Sequence, residues 1–175
     1  MATKKTSIFT LTERMTLTSA NVNTYATIDL GSYVDVGDRQ AIQVHSVDYV
    51  FQATTQGGAL APVLGADSTV TVQVTDLNRG NLTWADDRAL VSSGVLTYLA
   101  TGFMANTTDL FPDNFGKGSD DGRYVVNDAL YLTGLATALA PGEEVNVTVR
   151  VNASIVSLTA KDFMAIAIQS TAADN

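Results

Sequence analysis

Cysteine is absent from this chain, which excludes disulfides, thiolate metal sites and thiol catalysis together. Histidine is nearly absent. With His45 alone, a three-histidine zinc site or a cupin-type metal centre cannot be built. A Ser-His-Asp triad would have to use that one residue, and no Gly-x-Ser-x-Gly elbow supplies the serine. Charge is scarce as well, at 16% of residues against ~25% in an average domain. Thr, Asn, Ser and Gln take its place. Surfaces covered by neighbouring molecules are depleted in Lys, Glu and Asp, and β-rich chains favour Thr for its strand propensity; both causes fit. The charge that remains is acidic, 18 Asp and Glu against 10 Lys and Arg for a net −8, which disfavours nucleic acid or an anionic membrane over the body of the domain.

Long apolar runs are missing too. The richest stretch, Ala129 to Ala140, is broken by Thr133, Gly134 and Thr137 and falls short of the ~18 apolar residues of a membrane span. From Met1 to Leu17, Lys4 and Lys5 precede alternating polar and apolar residues, without the apolar core of a secretory signal.

What the chain does contain is alternation. Val145, Val147, Val149, Val151, Ala153 and Ile155 interleave with Asn146, Thr148, Arg150, Asn152 and Ser154, the period of two of a strand with one buried side. The same pattern marks Ser7 to Leu17 and Ser68 to Leu77, where Val70, Val72 and Val74 point inward and Thr69, Thr71, Gln73 and Thr75 outward. Tyr25 to Leu30, Val95 to Met104 and one or two segments within Arg123 to Gly134 add further strands. Across Ala41 to Gln52 the phase changes: Ile42 and Val44 share one face, while Val47, Tyr49 and Phe51 have the opposite parity. One extra residue near His45-Ser46, a β-bulge, reconciles them. Ala53 to Asp67 and Ala105 to Gly122 read as loops. Ala140-Pro141-Gly142 reads as a turn into the long strand. Thr83 is expected to cap a short helix through Asp86, Asp87, Leu90 and Val91. Thr159 to Ser170 fits two patterns, a helical stripe of Phe163, Met164, Ala167 and Ile168 or a strand row of Met164, Ile166 and Ile168, and a short helix capped by Thr159 is the preferred reading. The sum is one all-β domain over residues 1–175, an antiparallel eight-stranded jelly-roll sandwich with one or two short helices and residues 1–6 as a flexible N-terminal tip.

Chemistry-bearing clusters are few. His45 reads as structural. Asp109, Asp113, Asn114, Asp120, Asp121 and Asp128 gather around one loop and suit calcium by ligand type. They lack the spacing of an EF-hand, and Asp, Asn and Gly are also turn formers. Asn81, Asn106, Asn146 and Asn152 each satisfy the N-glycosylation pattern, as chance predicts in a chain rich in Asn and Thr. Trp84, beside the expected helix cap, reads as a packing anchor. Tyr33, Phe103, Phe111 and Phe115 also lie near turns, with no spacing that makes a planar sugar-stacking row. No catalytic residue, metal or cofactor is expected.

The run Ile28-Asp29-Leu30-Gly31-Ser32-Tyr33-Val34-Asp35-Val36-Gly37-Asp38-Arg39-Gln40-Ala41-Ile42, followed by Val44 and Val47-Asp48-Tyr49, resembles the early strands of single jelly-roll major capsid proteins of tailless icosahedral viruses of prokaryotes. The later loop, the helix expected around Asp86 to Val91, Gly142-Glu143-Glu144 and the long strand are similar in style, so the resemblance spans most of the chain. It implies a non-enzymatic subunit of a virion shell that assembles with itself as pentamers or hexamers, and with other capsid proteins. That family's long basic packaging arm is missing here. Lys4 and Lys5 are its only counterpart, an interior-facing basic tip, which leaves contact with genome or internal membrane open. The outer row Asn146, Thr148, Arg150, Asn152 and Ser154, almost free of charge, is the candidate interface. The competing expectation is a carbohydrate- or receptor-binding β-sandwich, such as a spike or fibre head.

Overall fold

The computed structural model describes residues 2–53, 58, 60–64, 67–99, 101, 104–111 and 123–171. In chain order the elements are β1 (Thr3–Lys4), β2 (Phe9–Leu17), β3 (Thr24–Asp29), β4 (Gln40–Ala53), α1 (Leu60–Leu64), β5 (Ser68–Thr75), β6 (Leu90–Leu99), β7 (Met104–Phe111), β8 (Arg123–Val125), β9 (Ala129–Ala136), β10 (Val145–Ser157) and α2 (Ala160–Thr171). The pairing is nested: β2 with β10, β3 with β9, β4 with β8 and β5 with β6, all antiparallel. A chain paired in this way is a long hairpin rolled over on itself. Cross-pairing of β10 with β4 and of β9 with β5 joins the rolled pairs into two sheets. One runs β2-β10-β4-β8, with β1 extending beside β10; the other runs β3-β9-β5-β6-β7. This is the jelly roll expected from the alternation. Among the described residues it carries ten strands rather than eight, because the two-residue β1 and the edge strand β7 are added.

The inward rows make the core. Val70, Val72 and Val74 of one sheet and Val145, Val147, Val149 and Val151 of the other are fully buried in one cluster with Leu17, Ile42, Leu130 and Leu132. At two positions the facing sheet fills the space a side chain would occupy. A Cβ at Gly94 would meet the Tyr49 ring at 2.6 Å, and one at Gly134 would meet Met15 Sδ at 2.6 Å. Each glycine is therefore the socket for a large residue from the facing sheet.

The bulge falls where the parity change placed it. Asn152 pairs with Ser46 and Ala153 with Val44, so His45 is the unpaired extra residue. Ala140-Pro141-Gly142 forms the expected turn: Glu143 N–H donates to Ala140 O at 3.0 Å, and Gly142 sits at φ 79°, the geometry of a type II turn. Thr159 caps α2, its Oγ1 accepting from Asp162 N–H at 3.2 Å and donating to Asp162 Oδ2 at 2.8 Å. Phe163, Ile166 and Ala167 of this helix lie over Ala41, Val126 and Val156 on the outside of the first sheet.

Three expectations are corrected. Thr83 to Val91 is not a helix: Leu90 and Val91 open β6, both buried. The preceding residues make two successive turns, Asp87 N–H to Trp84 O and Leu90 N–H to Asp87 O. Thr83 N–H is held by Gln73 Oε1 at 2.7 Å, so the residue expected to cap a helix is spent on the neighbouring strand. The loop expected over Ala105 to Gly122 begins as strand β7, whose backbone pairs with β6 from Ser93 to Leu99; polar composition does not prevent an edge strand when the ladder satisfies its backbone. Residues 112–122 lie outside the described residues. At the N-terminus β1 pairs with Val156 and Ser157, and Lys5 N–H donates to Ile155 O at 2.8 Å. Within the expected loop Ala53 to Asp67, Leu60–Leu64 forms the short helix α1.

Candidate functional site

β10 is a central strand, with β2 on one side and β4 on the other. Its outer row is therefore the middle of a broad face and not an edge. The register sets Asn146, Thr148, Arg150 and Asn152 between Thr16, Arg14, Thr12 and Thr10 of β2 and Gln52, Val50, Asp48 and Ser46 of β4. Of these positions only Arg14, Arg150 and Asp48 carry charge. Several members bond to one another along the face. Thr16 Oγ1 donates to Asn146 Oδ1 at 2.8 Å, Thr10 Oγ1 donates to Asn152 Oδ1 at 2.7 Å, and Asn152 Nδ2 donates to Ser46 Oγ at 2.9 Å. The amides are thus held in fixed orientations. Arg150 projects into solvent, and Val50 is an exposed apolar residue beside Thr148.

Ser154 departs from the rest of the row. It shares the outward parity but is completely buried, because α2 and the N-terminal segment close that end of the sheet. His45 Nε2 lies 2.9 Å from its Oγ. Burial lowers the His45 pKa, and Lys4 adds to the shift, so the ring is neutral at pH 7. At the bulge a neutral imidazole thus meets a buried serine hydroxyl. Lys4 and Lys5 are both exposed, and Lys5 Nζ donates to Gln40 Oε1 at 3.2 Å. The structure brings them beside the end of β10 and not onto the Asn146–Asn152 face.

The second buried polar cluster lies at the β5–β6 connection. Arg123 Nη2 donates to Asp76 Oδ2 at 3.1 Å and also to Arg88 O. Arg79 Nη2 meets Asp87 Oδ1 at 2.7 Å, and Asn127 Nδ2 donates to Asp76 O at 2.6 Å. Burial raises the Asp76 pKa, and Arg123 partly offsets the shift. These contacts anchor the connection to the start of β8. Asp113, Asn114, Asp120 and Asp121 of the calcium reading lie outside the described residues, as do Phe103 and Phe115. Among the described residues no group of three or more His, Asp or Glu could hold a metal ion, and no helix is long and apolar enough to cross a membrane.

The outer face of the second sheet is built differently. The connection after β5 folds back over it: Tyr25 Oη donates to Gly80 O at 2.7 Å, Asn23 Nδ2 to Asn81 Oδ1 at 3.0 Å, and Gln73 Nε2 to Thr83 O at 2.9 Å. A pocket of about 420 Å³ lies between Tyr25, Tyr131 and Gly80, and another of about 330 Å³ between Trp84, Leu82, Thr71 and Ser93. Trp84 is 86% exposed and is not the packing anchor its sequence position suggested. Because the expected helix is a pair of turns, its ring projects from a loop instead of packing under a helix start. Tyr33 does pack, stacking on Phe9 with ring centroids 5.3 Å apart.

Fold and faces together define an all-β sandwich with jelly-roll strand order. No protein-family model matches the chain, and no curated protein matches it.

Proposed function

We propose that this protein is a structural capsid subunit that assembles with copies of itself into a viral shell. The observation that carries the reading is the face built on Asn146, Thr148, Arg150 and Asn152. A solvated sheet face is ordinarily studded with Lys and Glu; this one offers amides and hydroxyls on three adjacent strands, pre-oriented by bonds to one another. Such groups can bond across an interface without the cost of desolvating charge, and preorganisation lowers the entropy lost on contact. The low charge of the whole chain and the jelly-roll order support the same reading. Shell-building also fits a domain whose one histidine is locked to a serine and whose carboxylate network serves the β5–β6 connection.

The direct test is native mass measurement across a range of salt. Closed cyclic capsomers or larger shells are the expected result. A monomer at every concentration and ionic strength would refute the proposal.

A further inference from the structure

We infer that the pocket under Trp84 is a binding site for a neutral sugar ring, a role that stands whether or not the chain builds a shell. Two observations converge. The indole of Trp84 is open to solvent at the mouth of a pocket of about 330 Å³, a size at the lower end of small-ligand sites. In its wall Ser93 is only 1% exposed, and its Oγ has no hydrogen-bond partner. A buried hydroxyl without a partner is destabilising, so the site is incomplete in the free protein.

The chemistry of the lining selects the ligand. No charged side chain lines the pocket, and the chain is acidic overall, so an anionic sugar or a phosphate finds no counter-charge. A purely aliphatic ligand would leave the Ser93 hydroxyl unpaired. A neutral pyranose meets both demands. Its C–H face covers the indole, and its hydroxyls reach Ser93, which turns about one χ1 torsion, and Thr71 on the same wall. Leu82 and Leu90 supply the apolar remainder, while Gln73 is held to the Thr83 backbone and keeps the wall in place.

Trp84 is the single tryptophan of the chain, so its fluorescence reports on this site alone. The experiment titrates the full chain with the methyl glycosides of glucose, galactose, mannose, N-acetylglucosamine and N-acetylgalactosamine. At least one should shift the emission to the blue saturably. Ser93→Ala should weaken that glycoside about tenfold, the loss of one hydrogen bond, while leaving the melting temperature unchanged or raised, because an orphan hydroxyl has been removed. Trp84→Ala, followed by calorimetry, should abolish binding and still fold. A flat titration with all five glycosides overturns the proposal, as does unchanged affinity in Ser93→Ala. A blue shift that tracks protein concentration without sugar would make Trp84 a contact between copies and would overturn it too.

Discussion

Asp76 illustrates how a single residue sets both structure and pH response. It is buried beneath the β5–β6 connection with Arg123 on one carboxylate oxygen and nothing on the other. Because burial raises its pKa more than Arg123 lowers it, the folded chain binds that proton more readily than the unfolded chain. Its contribution to stability is therefore greatest below the unfolded value of 3.8 and is lost as pH rises through the folded value. Arg123→Ala removes the offsetting charge, and at pH 7 should cost about 1–3 kcal/mol by leaving a buried carboxylate unpaired. The deficit should shrink toward pH 4, where the carboxyl is taking up its proton; urea unfolding at the two pH values measures it. Gly94 is a residue-scale constraint of another kind. Gly94→Ala drives a methyl into the Tyr49 ring, and overpacking of a rigid ring should cost about 1–3 kcal/mol, whereas Gly94→Ala combined with Tyr49→Leu should recover part of the loss.

At the scale of elements, whatever rested on period two was legible in the sequence. The valine rows of β5 and β10, the bulge at His45 and the turn at Pro141-Gly142 all follow from side-chain parity or backbone restrictions that act over a few residues. The cap at Thr159 is equally local, and Thr159→Ala should lower stability by about 1 kcal/mol, read as a thermal shift with α2 fraying by hydrogen exchange. What failed depended on distant partners. Thr83 to Val91 carries a good helix start, yet Gln73 takes Thr83 and the core takes Leu90 and Val91, so tertiary burial overrides local propensity. Strand β7 was hidden because its segment has loop-like composition and its order comes from pairing with β6. Ser154 was read as outward by parity, which it is, but no local pattern announces that α2 returns over that end. The exposure of Trp84 followed from the same missing helix.

For the whole molecule, the decisive arrangement is that β10, second in length only to its neighbour β4 among the described strands, lies in the middle of its sheet. The nearly uncharged row of β10 is therefore not an exposed edge in need of protection; the β2-β10-β4 face is a broad surface, several of whose polar groups already bond among themselves. That arrangement decides which variant tests the face. Asn152 is tied to Thr10 and Ser46, so replacing it would disturb the fold as well as any contact. Thr148 and Gln52 lie on the same face, half-buried and exposed, and their side chains make no hydrogen bond within the chain among the described residues. Thr148→Lys with Gln52→Lys adds two positive charges to this face while leaving the core valines untouched. Substitutions on an exposed face should change folding stability by no more than about 0.5 kcal/mol, but each copy would then bring like charges into a self-contact, where repulsion and desolvation cost several kcal/mol. The expected outcome is a folded protein with an unchanged melting temperature that no longer reaches the parent's native mass at low salt and partly regains it as salt screens the charges. Should the variant assemble like the parent at every ionic strength, copies meet through some other surface of the sandwich.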